Sequence, residues 1–354
     1  MNYTSIYNSL NEVEIDNYNY FSHKIELQYF KLKKYEYQIN NDSCPIIDFD
    51  DLESSSLKDR FLIKYKGYDF DCLLTQPIKD IEDKTLFVIF SGSREINIDK
   101  LPIFKRWSYY QFIDSYVLNI ADPMFYKYDK LSLGWYYGSE NESCIEYLAD
   151  IIDKVKNNLC IDNKKIIFFG SSGGGYVALM MSLYFRDTLH IAINPQIQIN
   201  QFYGQNFPKV TGIDLNKKDL FRRNETISII QERCLNKYNK FLLLQNITDE
   251  HDCTCHLFPL MKKMNIDKLQ FGLNTITSDM LCWIYSCVGG HNAQGDQYIF
   301  SLMLHLAKKL LNNETIDDND RFMYKVISCI WHQNAWLLDA FNKQLRELKQ
   351  LKQE

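Results

Sequence analysis

Much that would place this chain in a specialised class is missing from it. None of its 354 residues lies in an apolar run approaching the length of a bilayer span. The opening MNYTSIYNSLNEVEIDNYNY has neither the basic start nor the apolar stretch of a secretory signal, so the expected location is cytoplasmic. No basic block stands out and the net charge is −5, which disfavours general nucleic-acid binding. Ten cysteines are scattered without framework spacing, so reduced and mostly buried thiols are expected. Internal repeats and low-complexity linkers are lacking too. With 24% charged and 46% hydrophobic residues, the balance is that of a globular protein with a sizeable core.

The most informative segment is KIIFFGSSGGGYVALMM, residues 165–181. An apolar β-rich run leads at once into Gly170-Ser171-Ser172-Gly173-Gly174, after which an apolar helical pattern begins. Strand, Gly-x-Ser-x-Gly turn and helix form the pattern of a nucleophile elbow. The serine sits on a strained turn, and small neighbours are needed because a Cβ beside it would clash with strand or helix. The N–H of Gly173 would then point to where an oxyanion forms. A glycine-rich strand-to-helix turn can also cradle a phosphate, but the dinucleotide fingerprint and the P-loop lysine are both absent.

Strand and helix patterns alternate along the chain. Residues 61–65 and 70–74 flank Lys66-Gly67-Tyr68 as a hairpin. Strands are expected at 86–90, 116–120, 166–169, 190–194, 241–245 and 269–276, and helices at 144–159, 257–264 and 298–311. Pro259 is tolerable only in the first turn of its helix. Residues 23–39 partly alternate, and 40–56 read as loop. This order predicts a mostly parallel, doubly wound α/β sheet with helices on both faces, whose sites collect at the carboxyl ends of the strands. The expected organisation is an N-terminal extension over 1–58, a catalytic domain over 59–312 and a helical extension over 313–354.

A serine nucleophile needs a base, and the base needs an orienting carboxylate. The strand at 241–245 ends in Asn246-Ile247-Thr248-Asp249, which makes Asp249 the preferred acid and Asp252 its local competitor. Both could instead be a helix cap and a solvated turn. His291, on a glycine-flanked loop before the final apolar helix, is the preferred base, although a loop histidine is often just solvated. His251 and His256 come too early for the chain order of serine, acid, histidine. Ser91-Gly92-Ser93-Arg94 supplies small residues for the second oxyanion N–H, from Ser93 or Gly92. Arg94 either holds an anionic substrate group or pairs with Glu95 or Asp122. Among aromatics at 107, 109, 110, 135–137, 202 and 203, Trp135 and Tyr136 in the Leu-Gly-Trp-Tyr-Tyr-Gly turn are weak candidates for stacking on substrate; core packing explains the others equally well.

His251-x-Cys253-x-Cys255-His256 carries four zinc-ligand types in six residues, but no second cluster follows and no metal is expected. Leu338, Phe341, Leu345 and Leu348 alternate spacings of three and four, with basic residues between and beyond them. That amphipathic helix is expected to pack on its own domain; its functional alternative is homo-oligomerisation or peripheral docking to a membrane-bound assembly at the inner membrane.

With these residues in hand, the chain resembles a known group. The strand at 86–90 with Ser91-Gly92-Ser93, the 170–174 elbow, Gln245-Asn246-x-x-Asp249-x-His251 with His256, and Gly290-His291-Asn292 recur in this order in α/β-hydrolase-type proteins of bacterial surface-polysaccharide loci, some similar to capsular polysaccharide O-acetyltransferases. The resemblance spans about residues 61–311. It implies an α/β-hydrolase-like fold, Ser172 as nucleophile, Asp249 as acid and His291 as base. It also implies a polysaccharide or oligosaccharide acceptor in capsule biosynthesis. On this reading the protein is a serine acyltransferase with acetyl-CoA as donor and no tightly bound cofactor. An esterase using the same residues is the alternative, and a non-catalytic subunit of a polysaccharide or secretion assembly is the second.

Overall fold

The computed structural model describes residues 44–77, 84–113, 115–202, 204, 206–287, 290, 291 and 297–330. The strand expected in 23–39, the helix expected over 338–348 and Tyr203 lie outside the described residues. Two compact units divide the chain near residue 239.

In the unit up to residue 239, seven strands pair in the order β1-β2-β3-β5-β4-β6-β7. They are β1 (Ile46–Asp48), β2 (Asp59–Tyr65), β3 (Tyr68–Thr75), β4 (Leu86–Phe90), β5 (Tyr116–Ile120), β6 (Ile166–Ser171) and β7 (Leu189–Ile193). β2 and β3 form the expected hairpin, turned by Lys66 and Gly67 at φ 46° and 79°, the backbone of a tight primed turn. The short β1 lies parallel to β2 inside the segment read as loop; three residues are too few to leave a periodic signal. β4, β5, β6 and β7 run parallel, β5 beside β4, and β4 and β7 flanking β6. β4, β6 and β7 are buried along their whole length, which is why they read as unbroken apolar runs rather than alternating ones.

Helix α1 (Cys144–Asn158) starts at Ser143, whose hydroxyl accepts the N–H of Glu146. Its buried residues, among them Ile145, Leu148, Ile152 and Val155, recur at helical spacing and join the main core with Phe61, Phe70, Val88 and Phe168. Helix α2 (Gly173–Met180) is buried on every side, and α3 (Thr226–Leu235) closes this unit's helices.

From residue 240 onward, β8 (Lys240–Asn246) runs parallel to β10 (Met280–Tyr285), and β9 (Gly272–Thr277) pairs antiparallel with β10. Helix α4 (Phe258–Lys263) carries Pro259 in its first turn, as its missing N–H requires. Helices α5 (Gln297–Leu311) and α6 (Asp318–Ile330) follow. α6 docks through Tyr324, whose ring meets Trp283 edge-on at 4.9 Å, and through Ser328, whose Oγ accepts the Trp283 indole N–H at 2.7 Å. Two expectations need correction here. The strand expected at 269–276 begins only at Gly272, where φ is 89°, and the next strand, β10, was not foreseen. Among the described residues no helix is long and apolar enough to cross a membrane.

Candidate active site

β6 ends at Ser171, and Ser172 follows with φ 54° and ψ −125°, a backbone that L-residues adopt only under constraint. Its peptide groups are held on both sides. The Ser172 N–H donates to the Ile193 carbonyl at 3.0 Å, and the Ser172 carbonyl accepts from the N–H groups of Tyr176 and Gln196, each at 3.2 Å. The motif glycines are required by space: a Cβ on Gly170 would stand 2.1 Å from the Gly174 oxygen, and one on Gly174 would stand 2.4 Å from the Phe90 oxygen. Gly173 opens α2, so its N–H is among those with no acceptor inside the helix. The loop after β4 lies against this turn, because a Cβ on Gly92 would sit 3.7 Å from the Ser172 Cβ. Ser93 beside it is exposed. Of the two adjacent serines, Ser171 belongs to the strand and its hydroxyl accepts from Arg106 at 2.7 Å, whereas Ser172 occupies the strained corner.

Three weaker candidates have internal positions. Arg94 is buried, and its guanidinium donates to the carbonyls of Leu131, Tyr128 and Asp129 instead of pairing with Glu95. Trp135 is 1% exposed, with its indole N–H bonded to Gln196 Oε1 at 2.7 Å. Tyr136 is fully buried; its hydroxyl donates to the Ile120 carbonyl at 2.5 Å and accepts from the Ser91 N–H at 3.0 Å. These contacts favour a supporting role over substrate stacking. Trp135 and Tyr136 have φ of 52° and 53°, and Asp122 pins the turn by accepting the N–H of Tyr136 at 3.1 Å. Burial pushes the Asp122 carboxyl up to about 7, even though backbone N–H groups from Met124 and Tyr136 oppose the shift. Arg223 locks the same turn, donating to the carbonyls of Tyr137, Ser139 and Glu142 while pairing with Asp219 at 2.7 Å.

The unit from residue 240 holds the acid and base candidates. Asp249 lies just past β8 and caps the short helix Glu250–Asp252, its Oδ1 accepting the Asp252 N–H at 3.1 Å. Its other oxygen, Oδ2, accepts from His291 Nδ1 at 2.8 Å. Asp252 Oδ2 lies 2.7 Å from the same nitrogen, so both competing carboxylates meet one imidazole edge. With Nδ1 protonated by this arrangement, Nε2 is left as the basic nitrogen. Burial opposes charge on His291, but hydrogen bonds to Asp249 and Asp252 and their combined field outweigh it and raise its pKa to about 9. Burial pushes Asp252 up to about 7, with the neighbouring Asp249 adding to the shift. Burial would raise Asp249 too, yet hydrogen bonds from His291 and Asp252 bring it below its ordinary value. Asp249 is therefore the carboxylate that stays ionised, and Asp252 the one that takes up a proton first.

Asn246, the last residue of β8, holds the loop that carries His291; the sequence placed it in a motif but gave it no role. Its amide Nδ2 donates to the carbonyls of Cys287 and Gly290, both at 2.9 Å, and its Oδ1 accepts the Cys287 N–H at 2.9 Å. Thr248 adds a hydroxyl bond to the Cys287 carbonyl at 2.8 Å. A buried polar residue at a strand end was the available signal, but a single asparagine has no periodicity to mark it.

Three of the four zinc-type residues at 251–256, Cys253, Cys255 and His256, lie on a wide turn, the π-helical stretch Cys253–Leu257. Cys253 Sγ faces the Asn246 carbonyl, and Cys255 Sγ approaches His251 Nδ1 at 3.7 Å. Among the described residues, ligand atoms converge within 4.8 Å in His251–Asp252–His256 and in Asp249–Asp252–His291, and neither group includes a cysteine. His256 is fully buried; burial first, and then His251, lowers its pKa to about 3, so it stays neutral.

The chain can now be set beside known proteins. No protein-family model matches the sequence, and no curated protein sequence matches it. Among solved structures, an acylaminoacyl peptidase of Pyrococcus horikoshii superimposes with a TM-score of 0.53 at 14% identity, covering 84% of this chain and 45% of that one. The capsule O-acetyltransferase of Neisseria meningitidis serogroup A gives 0.49 at 16% identity, covering 71% of this chain and 96% of that one. An alpha-beta serine hydrolase homologue from Coxiella burnetii gives 0.42 at 15% identity, covering 74% and 100%. The likeness to the peptidase concerns the fold alone. The fold is α/β-hydrolase-like, with mixed strand pairing and a Gly-x-Ser-x-Gly turn between β6 and α2.

Proposed function

We propose that the protein is a serine-dependent acyl-transfer enzyme. Ser172 is the nucleophile, His291 the base and Asp249 the orienting acid. The N–H groups of Gly173 and of Ser93 or Gly92 hold the oxyanion. The observation that carries this reading is the backbone of Ser172, held at φ 54° with both neighbouring peptide groups hydrogen-bonded. Strain of that kind, about 1–3 kcal/mol, persists only where surrounding structure enforces it. The second support is a histidine whose Nδ1 meets two carboxylates, so that Nε2 is the nitrogen that takes part in proton transfer on this reading.

In the reaction, Nε2 of His291 takes the Ser172 proton as Oγ bonds to the acyl carbon. The bond to the leaving group then breaks, and the leaving group receives that proton. An acceptor hydroxyl, deprotonated in turn by His291, takes the acyl group and releases Ser172. The specific reading is acetyl transfer from acetyl-CoA to a hydroxyl of a bacterial surface glycan. It rests on the resemblance of the motif order to α/β-hydrolase-type proteins of surface-polysaccharide loci, some similar to capsular polysaccharide O-acetyltransferases, and it needs no tightly bound cofactor. Hydrolysis is the second reading, favoured by the 36% exposure of the His291 side chain, which lets water reach the base.

The test is an acetyl-transfer assay with acetyl-CoA and capsule oligosaccharides, run on the wild type and Ser172→Ala. Acetylated glycan formed only by the wild type is expected. Release of acetate without glycan product would select hydrolysis, and full activity in Ser172→Ala would refute the mechanism.

A further inference from the structure

The peptide between Ser172 and Gly173 is one rigid plane. Its carbonyl and its N–H point in opposite directions, so whatever fixes the Ser172 oxygen also aims the Gly173 N–H. Two donors meet that oxygen, each at 3.2 Å: the Tyr176 N–H from within α2, and the Gln196 N–H from the loop after β7. The side chain of Gln196 is anchored in turn, its Oε1 accepting the Trp135 indole N–H at 2.7 Å. The indole then leads back to the elbow. A Cβ on Gly173 would stand 3.2 Å from Trp135 Cδ1 and 3.3 Å from its Nε1, so that ring edge lies against Gly173. Phe202 and Phe207 meet the indole edge-on at 5.4 and 5.3 Å and hold its plane. The backbone of Trp135, at φ 52°, lies in the turn that Asp122 pins through the Tyr136 N–H. The contacts thus close a ring from Ser172 through Gln196 and Trp135 to Gly173.

We propose that Gln196 and Trp135 are positioning residues that aim the Gly173 N–H at the oxyanion. The inference rests on Ser172 being the nucleophile. Neither side chain needs to touch the substrate. An oxyanion donor stabilises the transition state only when it is fixed beforehand towards the place where charge develops. A peptide plane free to rock would lose part of that stabilisation. The bond that supports the plane has one allowed sense: an indole N–H only donates, so it selects the oxygen of the Gln196 amide and sets that amide's orientation. Trp135 is 1% and Gln196 3% exposed, so the bond is shielded from water, where a hydrogen bond is electrostatically stronger. A purely packing role would be served equally well by an apolar pair.

The test uses Trp135→Phe, Gln196→Met and the double variant. These keep an aromatic ring, the side-chain length and the backbone N–H at 196, and remove only the bond between the two side chains. Turnover of 4-nitrophenyl acetate gives kcat and KM. Inhibition by a trifluoromethyl ketone gives Ki for a bound oxyanion: Ser172 Oγ adds to the ketone carbon, the serine proton passes to His291 and the carbonyl oxygen takes the negative charge. Each single variant should lower kcat about tenfold with KM little changed, less than the roughly 10²–10³ lost with an oxyanion donor itself. Ki should rise by the same factor as kcat falls. The double variant should fall no further than the worse single one, because both changes break the same bond. Urea unfolding checks that each variant is folded. Wild-type kcat in the folded single variants, a change confined to KM, an unchanged Ki, or additive losses in the double variant overturns the proposal and leaves Ser172 as nucleophile. A folded wild type that neither turns over the ester nor binds the ketone removes both readings.

Discussion

The side-chain amide of Asn246 donates to the carbonyl of Gly290 at 2.9 Å, so the end of β8 fixes the residue before His291. The position of the proposed base therefore depends on a side chain with no chemical part in the proposed reaction. Asn246 is fully buried and also serves Cys287 as both donor and acceptor.

Asn246→Ala should accordingly cost about 1–3 kcal/mol of stability for the buried groups it leaves unpaired. Urea unfolding measures that loss. Activity should fall further than stability, because the loop carrying His291 loses its tether. A variant with wild-type turnover would show that the tether is dispensable.

The two carboxylates on His291 make opposite predictions when each is neutralised. Asp249→Asn removes the ionised partner and should lower kcat by about 10²–10⁴, the usual consequence of misorienting the imidazole. Asp252→Asn should have a smaller effect on kcat. Kinetics of the two variants under identical conditions decide the assignment, and the reverse ranking would make Asp252 the acid.

The pH dependence follows from the same cluster. His291 is raised to about 9, and only its neutral form accepts a proton, so kcat/KM should climb with pH and level off above about 9. Its charged form adds stability that is complete below its unfolded pKa of about 6.5 and is lost as pH rises through about 9. Asp252→Asn removes one negative neighbour and should move the rising limb to lower pH. A pH–rate profile on a neutral ester checks the direction of that shift.

Gly174→Ala tests the close approach of α2 to β4. The added methyl would meet the Phe90 oxygen at 2.4 Å, backbone against backbone, where neither side can give easily. A loss of about 1–3 kcal/mol or more is expected in urea unfolding. An unperturbed variant would mean that the turn is looser than described.

The sequence showed those parts of the fold whose physics repeats along the chain. Residues 86–90 and 116–120 correspond to β4 and β5 end for end, because strands carrying a buried core read as apolar blocks. The elbow was legible because close packing leaves Gly170 and Gly174 no room for a side chain. β10 was missed: its MLCWIY run follows β9 after only two residues, and the expected strand stopped at 276 with no element assigned to 280–285. Arg106 and the role of Asn246 escaped for another reason. Both make long-range contacts, Arg106 with Ser171 and Asn246 with Cys287 and Gly290, which local pattern cannot report. Arg94 drew attention because it follows the small-residue loop, yet burial turned its guanidinium onto three backbone carbonyls.

The central claim is that Ser172 is a nucleophile activated by His291. Fluorophosphonate labelling followed by peptide mapping addresses it most directly. The account predicts a single adduct on Ser172, absent in Ser172→Ala and strongly slowed in His291→Ala. A folded wild type that takes no label, or an adduct on Ser171, would contradict it.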